Sequence, residues 1–238
     1  MTAILVPNSR VRGEDRMIQD HSFSDGERAA VYRAIAERRD VRRGFLDRPL
    51  PEELLERILY AAHCAPSVGL MQPSRFLVIR DIATRKAVHE IFEVANKRAL
   101  EGYAGQQAER YSALKLEGIL EAPQNLCVLC DSGSERGHGL GRQTMPETAV
   151  YSTVCAVQNL WIAARSEGVG VGWVSILDPA KLRELLNIPD HLILVAYLCL
   201  GYVEKFASEP DLERLGWERR IELKSVVSYE RYPEAGEP

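Results

Sequence analysis

The spacing of apolar residues predicts alternating helices and buried strands along most of the chain. Short apolar runs are typical of buried strands, whereas apolar residues three or four positions apart predict one face of a helix. On this basis we expect strands at 76–79, 125–130, 172–176 and 192–200, and helices at 24–38, 51–65, 84–101, 106–120, 147–167 and 178–186.

Two of these helices carry further sequence signals. Ser24 and Glu27 have the spacing of a capping box, so the first helix should begin there and place Val31 and Ile35 on its inner face. The helix at 147–167 is too apolar for a surface position, and we expect it to be central.

The chain shows no internal repeat and no linker, which favours one domain with a mixed sheet. We expect residues 1–22 to form a flexible N-terminal arm and residues 23–222 to form the domain. Residues 203–238 have little periodicity and much charge, so we expect this stretch to be disordered or wrapped on a larger body, with residues 223–238 as the C-terminal tail.

Composition narrows the functional classes. The chain has 238 residues, 46% of them hydrophobic, and a formal net charge of -4, which argues against nucleic-acid binding through global charge. No apolar run reaches the ~18 residues of a membrane span, and the N-terminus lacks the apolar region of a signal peptide. An odd number of scattered cysteines favours reduced thiols in a cytoplasm: Cys64, Cys127, Cys130, Cys155 and Cys199.

Two motifs resemble cofactor sites but fit structural roles better. Cys127 and Cys130 form a C-x-x-C pair within a strand, where positions i and i+3 point to opposite faces. The run Gly168–Gly172 follows a helix and opens a strand, the reverse of a dinucleotide-binding fingerprint, so a tight helix end and close backbone packing explain it. His138 is a lone histidine between glycines, and we predict no metal site.

Four arginines surround Asp40 where the first helix should end: Arg38, Arg39, Arg42 and Arg43. A solvated charged face is the usual explanation of such a cluster. At a helix end, however, several guanidinium groups can converge, and arginine is suited to bidentate binding of phosphate.

The loop Ala65–Pro73 offers partners for the edge of an aromatic ring. Ser67 and Gln72 supply hydrogen-bonding side chains, and Gly69 lets a ligand approach the backbone closely. A phosphate site in one segment and a ring site in the other describe a mononucleotide such as FMN.

The same segments carry a resemblance to a known family. Arg38–Arg42 (RRDVR) and Ala65–Pro73 (APSVGLMQP) resemble the flavin site of the nitroreductase-like fold. Three further strings resemble the 5,6-dimethylbenzimidazole synthases within it: Leu114–Ile119 (LKLEGI), Tyr151–Trp161 (YSTVCAVQNLW) and Gly168–Ile176 (GVGVGWVSI). The resemblance covers about residues 23–222.

This resemblance implies an α+β fold with a mixed central sheet flanked by helices. It also implies a homodimer that binds FMN between its subunits, with the C-terminal arm wrapped around the partner. In the family, reduced FMN supplied by a separate flavin reductase is the substrate. Reaction with O2 yields 5,6-dimethylbenzimidazole, the lower ligand of vitamin B12, and erythrose 4-phosphate.

The resemblance assigns roles to particular residues. Asp40 and Ser175 match the catalytic positions, with Asp40 moving protons and Ser175 bonding the flavin near its ring nitrogens. Arg220 matches a further phosphate-binding arginine, although the family more often has Pro where Glu222 stands. The implied flavin-binding set is Arg38, Arg39, Asp40, Val41, Arg42, Pro66, Ser67, Val68, Gly69, Gln72, Val174, Ser175 and Arg220.

Two other functions remain open at this stage. An NAD(P)H-dependent nitroreductase or quinone reductase would keep its flavin intact and would have no need of the Asp40–Ser175 pair. A flavin-binding protein for storage or delivery would bind FMN without redox turnover.

Overall fold

A computed structural model of the chain describes residues 21–232. Residues 1–20, which make up most of the predicted N-terminal arm, and residues 233–238, the end of the predicted tail, lie outside the described residues. The described helices are α1 (Asp25–Glu37), α2 (Glu52–His63), α3 (Ile82–Leu100), α4 (Gly105–Ser112), α5 (Thr148–Ser166), α6 (Pro179–Leu185) and α7 (Asp211–Arg214). The described strands are β1 (Ser74–Ile79), β2 (Gln124–Asp131), β3 (Val169–Val174) and β4 (Leu192–Tyr202).

The four strands form one sheet in the order β1-β2-β4-β3, and every neighbouring pair is antiparallel. The α+β class is confirmed, but the pairing of these strands is antiparallel rather than mixed. The crossover through α5 does make β2 and β3 run in the same direction. They are not neighbours, because β4 lies between them and runs opposite to both.

Helices cover both faces of the sheet. On one face α2 and α5 pack on alternate residues such as Leu126 and Leu198, and on the other face α3 and α6 pack on Cys127 and Tyr197. Helix α5 buries eight of its 19 residues, which confirms its predicted central position. Among residues 21–232, no helix has both the length and the apolar character needed to cross a bilayer.

The two C-x-x-C sulfurs belong to different parts of the core. Cys127 packs in the cluster beneath α3, whereas Cys130 packs with Met71 and Ala149 beneath α5. The opposite orientation expected for a strand is therefore confirmed, and all five cysteines are free thiols.

Helix α1 has the predicted capping box but not the predicted buried face. Ser24 and Glu27 bond to each other's backbone, as the sequence indicated. Val31 and Ile35 are each 45% exposed and α1 buries no residue, so none of residues 21–232 covers the expected inner face.

Two element boundaries differ from the sequence pattern by three residues or more. Helix α4 ends at Ser112 rather than near 120, because the chain turns at Gly118 to pack against the ring of Phe45. A side-chain oxygen of Glu117 fixes this turn by accepting a hydrogen bond from the Ile119 amide at 2.7 Å. Strand β3 begins at Val169, three residues before the predicted start.

Candidate active site

The arginine-rich segment after α1 lies along one edge of the sheet. Strand β3 forms this edge, and Asp40 makes a parallel bridge with Val171 while the Val41 amide donates to the Val171 carbonyl at 3.0 Å. Further on, Phe45 bridges Val203 after the end of β4. The segment therefore covers an edge that would otherwise expose unpaired backbone groups, and this placement fixes where its side chains project.

Glycines in β3 make this close approach possible. A Cβ atom at Gly172 would lie 2.0 Å from the Val41 carbonyl oxygen, and one at Gly170 would lie 2.5 Å from a methyl group of Val203. Gly168, just after α5, has a φ of +76°, which favours glycine. The glycine run thus serves as a helix end and a backbone packing surface, as the sequence analysis expected.

Two hydrogen bonds hold the carboxylate of Asp40 beside strand β3. Its Oδ1 accepts a hydrogen bond from the Trp173 amide at 2.9 Å, and its Oδ2 accepts one from Arg42 Nη2 at 2.5 Å. The side chains of Asp40 and Arg42 are 29% and 14% exposed. The carboxylate is therefore oriented by the sheet while remaining open to a ligand.

Trp161 of α5 positions the first two arginines. Its Nε1 donates to the Arg39 carbonyl at 3.2 Å, and the Arg38 guanidinium lies 4.7 Å from its ring centroid. Burial lowers the pKa of the Arg38 guanidinium; Asp40 opposes this shift, whereas the cations of Arg220 and Arg39 reinforce it. The pKa of Arg38 therefore depends on the charges of Asp40, Arg39 and Arg220.

Residues 38–44 line one wall of a cavity of about 870 Å³. Its second wall is the segment 204–214, which the sequence analysis had treated as aperiodic chain. Within the described residues, Arg39 Nε and Arg42 Nε are buried without a hydrogen-bond partner. The donor set suits a phosphate, and the cavity arginines are Arg38, Arg39, Arg42, Arg43, Arg214 and Arg220.

The second predicted cluster, the loop after α2, is rigidly built. Ser67 Oγ accepts a hydrogen bond from the Gln72 amide at 3.1 Å, and Ser152 Oγ of α5 accepts one from the Val68 amide at 3.0 Å. Pro66 is exposed. Left-handed backbone angles at Gly69 and Gln72, with φ of +55° and +48°, give the loop a tight bend.

A neighbouring loop supports this bend from behind. A Cβ atom at Gly137 would lie 2.5 Å from the Gly69 carbonyl oxygen, so the two backbones are in contact. Arg136 Nη2 donates to Gln72 Oε1 at 3.3 Å, and Gln72 Nε2 lies 3.2 Å from His63 Nε2. The glycines around His138 thus have a packing role.

A single chain does not bring the two predicted clusters together. The loop contacts Ser152 and the arginine segment contacts Trp161, nine residues later on α5, which corresponds to about 14 Å along the helix axis. The crevice beside Ser67 and Gln72 has a volume of only about 10 Å³, too small for a flavin ring.

The last predicted residues lie at the end of β3. Val174 is 3% exposed and its side chain belongs to the core, so only its backbone is available to a ligand. Ser175 is exposed, and its hydroxyl makes no hydrogen bond with a described residue. It stands two positions beyond the Trp173 amide that binds Asp40, about 7 Å along an extended chain.

Sequence reasoning missed three contributors to the cavity. Trp161 and Trp173 contact the segment, and the only sequence signal was their presence in the family-like strings. The wall at 204–214 could not be predicted from the sequence pattern, because contacts between distant residues hold it in place. One of them is the hydrogen bond that Arg39 Nη2 donates to the Ser208 carbonyl at 2.5 Å.

Comparison with known proteins agrees with this architecture. The Nitroreductase family model matches residues 35–202. The crystal structure of oxidized iodotyrosine deiodinase bound to FMN and 3-iodo-L-tyrosine superimposes with a TM-score of 0.68 at 25% identity, covering 85% of this chain and all of that one.

Two curated relatives carry a more specific name. The 5,6-dimethylbenzimidazole synthase of Rhodospirillum rubrum is 45% identical over 201 residues, covering 84% of this chain and 93% of the relative. The protein of the same name from Rhodobacter capsulatus is 40% identical over 200 residues, covering 84% and 96%. The chain therefore belongs to the nitroreductase family.

Proposed function

We propose that this chain is a 5,6-dimethylbenzimidazole synthase, an O2-dependent oxidoreductase that fragments reduced FMN. Similarity to the two named synthases over 84% of the chain supports this reading. The observation that carries it in the structure is the carboxylate of Asp40, fixed by the Trp173 amide inside an arginine-lined cavity. A reductase that only stores electrons in its flavin has no use for a carboxylate at that position.

The arginines hold the phosphate and the adjoining ribityl chain of the substrate. Arg38, Arg39 and Arg42 converge because the segment runs along β3, and Arg220 faces them across the cavity. The unpartnered Nε groups of Arg39 and Arg42 are donors that an anionic ligand would satisfy, directly or through water. Binding at the phosphate leaves the rest of the substrate to extend past Asp40.

Asp40 is the proton-transfer group. Its Oδ1 is occupied by the Trp173 amide and its Oδ2 by Arg42, so both contacts orient it rather than bury it. A positioned carboxylate next to the ribityl chain can accept and return a proton as bonds there are broken. Ser175, with its hydroxyl free of described partners, bonds the ring beside it.

The ring site is completed by a second copy of the chain. The loop 66–72 lies about 14 Å along α5 from the arginine cluster, and its own crevice is too small for the ring. In a homodimer, the loop of one subunit can face the arginine cavity of the other. This arrangement places Ser67 and Gln72 at the ring while Arg38 and its neighbours hold the phosphate.

The reaction itself provides the test. Purified protein is mixed in air with FMN, NAD(P)H and a separate flavin reductase, and the mixture is analysed by mass spectrometry. We expect 5,6-dimethylbenzimidazole to accumulate as FMN disappears. Steady consumption of NAD(P)H by the protein alone, with FMN intact and no such product, would identify a conventional flavin reductase instead.

A further inference from the structure

Three aromatic side chains, from two segments that are distant along the chain, form a cluster outside the arginine cavity. Tyr103, which precedes α4, stacks on Tyr111 with ring centroids 4.9 Å apart. Trp217 meets both rings edge-on, at 5.5 Å from Tyr103 and 6.2 Å from Tyr111. Offset and edge-on packing of this kind is the favoured geometry of aromatic pairs, so the cluster joins two segments separated by about a hundred residues.

The α4 side of this aromatic cluster is firmly anchored. Tyr111 is 6% exposed, and its hydroxyl donates to Asn96 Oδ1 of α3 at 2.7 Å. Arg110 Nη1 reaches across and donates to the Gly216 carbonyl at 3.2 Å. Trp217 is thus attached to a fixed part of the fold rather than to another loop.

Trp217 belongs to the chain segment that forms the outer wall of the cavity. Its amide donates to the Leu212 carbonyl at 2.8 Å, which closes the turn after α7. Leu212 and Arg214 line the cavity, and so does Arg220, three residues beyond Trp217. Trp217 itself does not line the cavity.

Arg220 has no fixing contact of its own. Its side chain is exposed and makes no hydrogen bond or ion pair with a described residue. It is nevertheless close enough to lower the pKa of Arg38. Its position over the cavity therefore depends on how the preceding residues are held, and Trp217 is the nearest of them whose side chain packs against another element.

We propose that the cluster of Tyr103, Tyr111 and Trp217 is a positioning element that holds Arg220 over the cavity to bind the substrate phosphate. This inference rests on the proposed function, since it takes the cavity to be the phosphate site. In this proposal the connection between α3 and α4 contributes to phosphate affinity although none of its residues lines the cavity.

The test compares FMN with riboflavin, which has the same ring and ribityl chain but no phosphate. Affinities are measured by quenching of flavin fluorescence in the full-length protein. Arg220→Gln should weaken FMN binding about tenfold, the loss of one exposed charge-assisted contact, and leave riboflavin binding within about twofold. Trp217→Leu should reproduce a large part of that selective loss, about threefold to tenfold.

A double-mutant cycle decides whether Trp217 acts through Arg220. If it does, the double variant Trp217→Leu/Arg220→Gln should bind FMN no more weakly than Arg220→Gln, within about twofold. Losses that multiply, or a Trp217→Leu variant that loses FMN and riboflavin affinity equally, would overturn the inference.

Tyr103 supplies a matched pair of variants that does not depend on the fold tolerating the loss of Trp217. Tyr103→Phe keeps the stacked ring and should leave FMN affinity unchanged, whereas Tyr103→Leu should show the same FMN-selective loss. Equal affinities in these two variants would refute the positioning role. A wild-type protein that binds FMN no better than riboflavin would instead refute the phosphate site, and the inference with it.

Discussion

Gly172 is the residue on which the arrangement of the site depends most directly. We expect Gly172→Ala to destabilise the protein by about 3 kcal/mol, because a Cβ atom there would lie 2.0 Å from the Val41 carbonyl oxygen and the two backbones would have to separate. The free energy of unfolding in urea measures this effect. Gly133→Ala is the control: no atom lies within 4 Å of that Cβ position, so the change should stay within about 0.5 kcal/mol.

The two proposed catalytic groups can be separated from binding. Asp40→Asn keeps an oxygen to accept the Trp173 amide but cannot act as a base, so product formation should fall at least about a hundredfold while FMN affinity changes little. Ser175→Ala removes a hydroxyl with no described partner, and it should lower product yield without affecting stability. Product quantified by mass spectrometry, beside FMN titration of each variant, checks both. Undiminished product from either variant would contradict its assigned role.

The buried thiols make stability depend on alkaline pH. Burial raises the pKa of Cys127 to about 12 and also raises those of Cys130 and Cys199. Unfolded thiols titrate near pH 8.5, so above that pH the unfolded state loses protons that the folded state keeps, and stability falls as pH rises.

For Cys127 the expected slope is about 1.4 kcal/mol per pH unit between about pH 9.5 and 11. Urea unfolding at several pH values measures it. Cys127→Ala should flatten the slope by that amount. Parallel pH curves for wild type and Cys127→Ala would show that this thiol does not titrate differently on folding.

At the scale of elements, the sequence correctly predicted the features that depend on residues close together along the chain. The capping box of α1, the strand cores and the length of α5 could all be inferred from spacing, because each depends on residues within a few positions. The end of α4 could not, since it depends on contact between Gly118 and Phe45 across the fold.

The same limit applies to the site. The arginine cluster and the loop 65–73 were recognisable as candidate phosphate and ring sites from their residue types alone. Two features depend on contacts between residues more than eighty positions apart: the two clusters contact different parts of α5, and the segment 204–214 closes the cavity. No periodicity encodes such contacts.

The loop around Gly137 provides a prediction at this scale. An alanine at Gly137 would need a left-handed φ of +73° and its Cβ would clash with the Gly69 carbonyl oxygen. The loop 65–73, which we assign to the flavin ring, should therefore shift. We expect FMN and riboflavin affinities to fall together, about fivefold, because the ring and not the phosphate is affected. Gly133→Ala again serves as the control. A loss confined to FMN would contradict the assignment of this loop to the ring.

At the scale of the whole molecule, residues 21–232 of one chain leave a large apolar surface uncovered. Helix α5 exposes a stripe at helical spacing, formed by Tyr151, Val154, Cys155 and Gln158, although its other side is core. Val31 and Ile35 of α1 are also exposed, as are the apolar side chains of residues 221–232. Large exposed apolar patches mark association surfaces, and the split between the arginine cavity and the ring loop calls for a second copy as well.

We therefore expect a homodimer with twice the 26.7 kDa mass of one chain, measurable by light scattering. Val154→Glu places a charge in the α5 stripe and should yield monomers with greatly weakened flavin binding, because each monomer lacks the partner's ring loop. Val94→Glu is the matched control, since Val94 is 51% exposed on α3, on the other side of the sheet. Cys155 gives an independent measurement within the stripe. Its alkylation by iodoacetamide should be slow in the wild-type dimer and fast in the Val154→Glu variant, and equal rates would show that the stripe is not the contact between subunits.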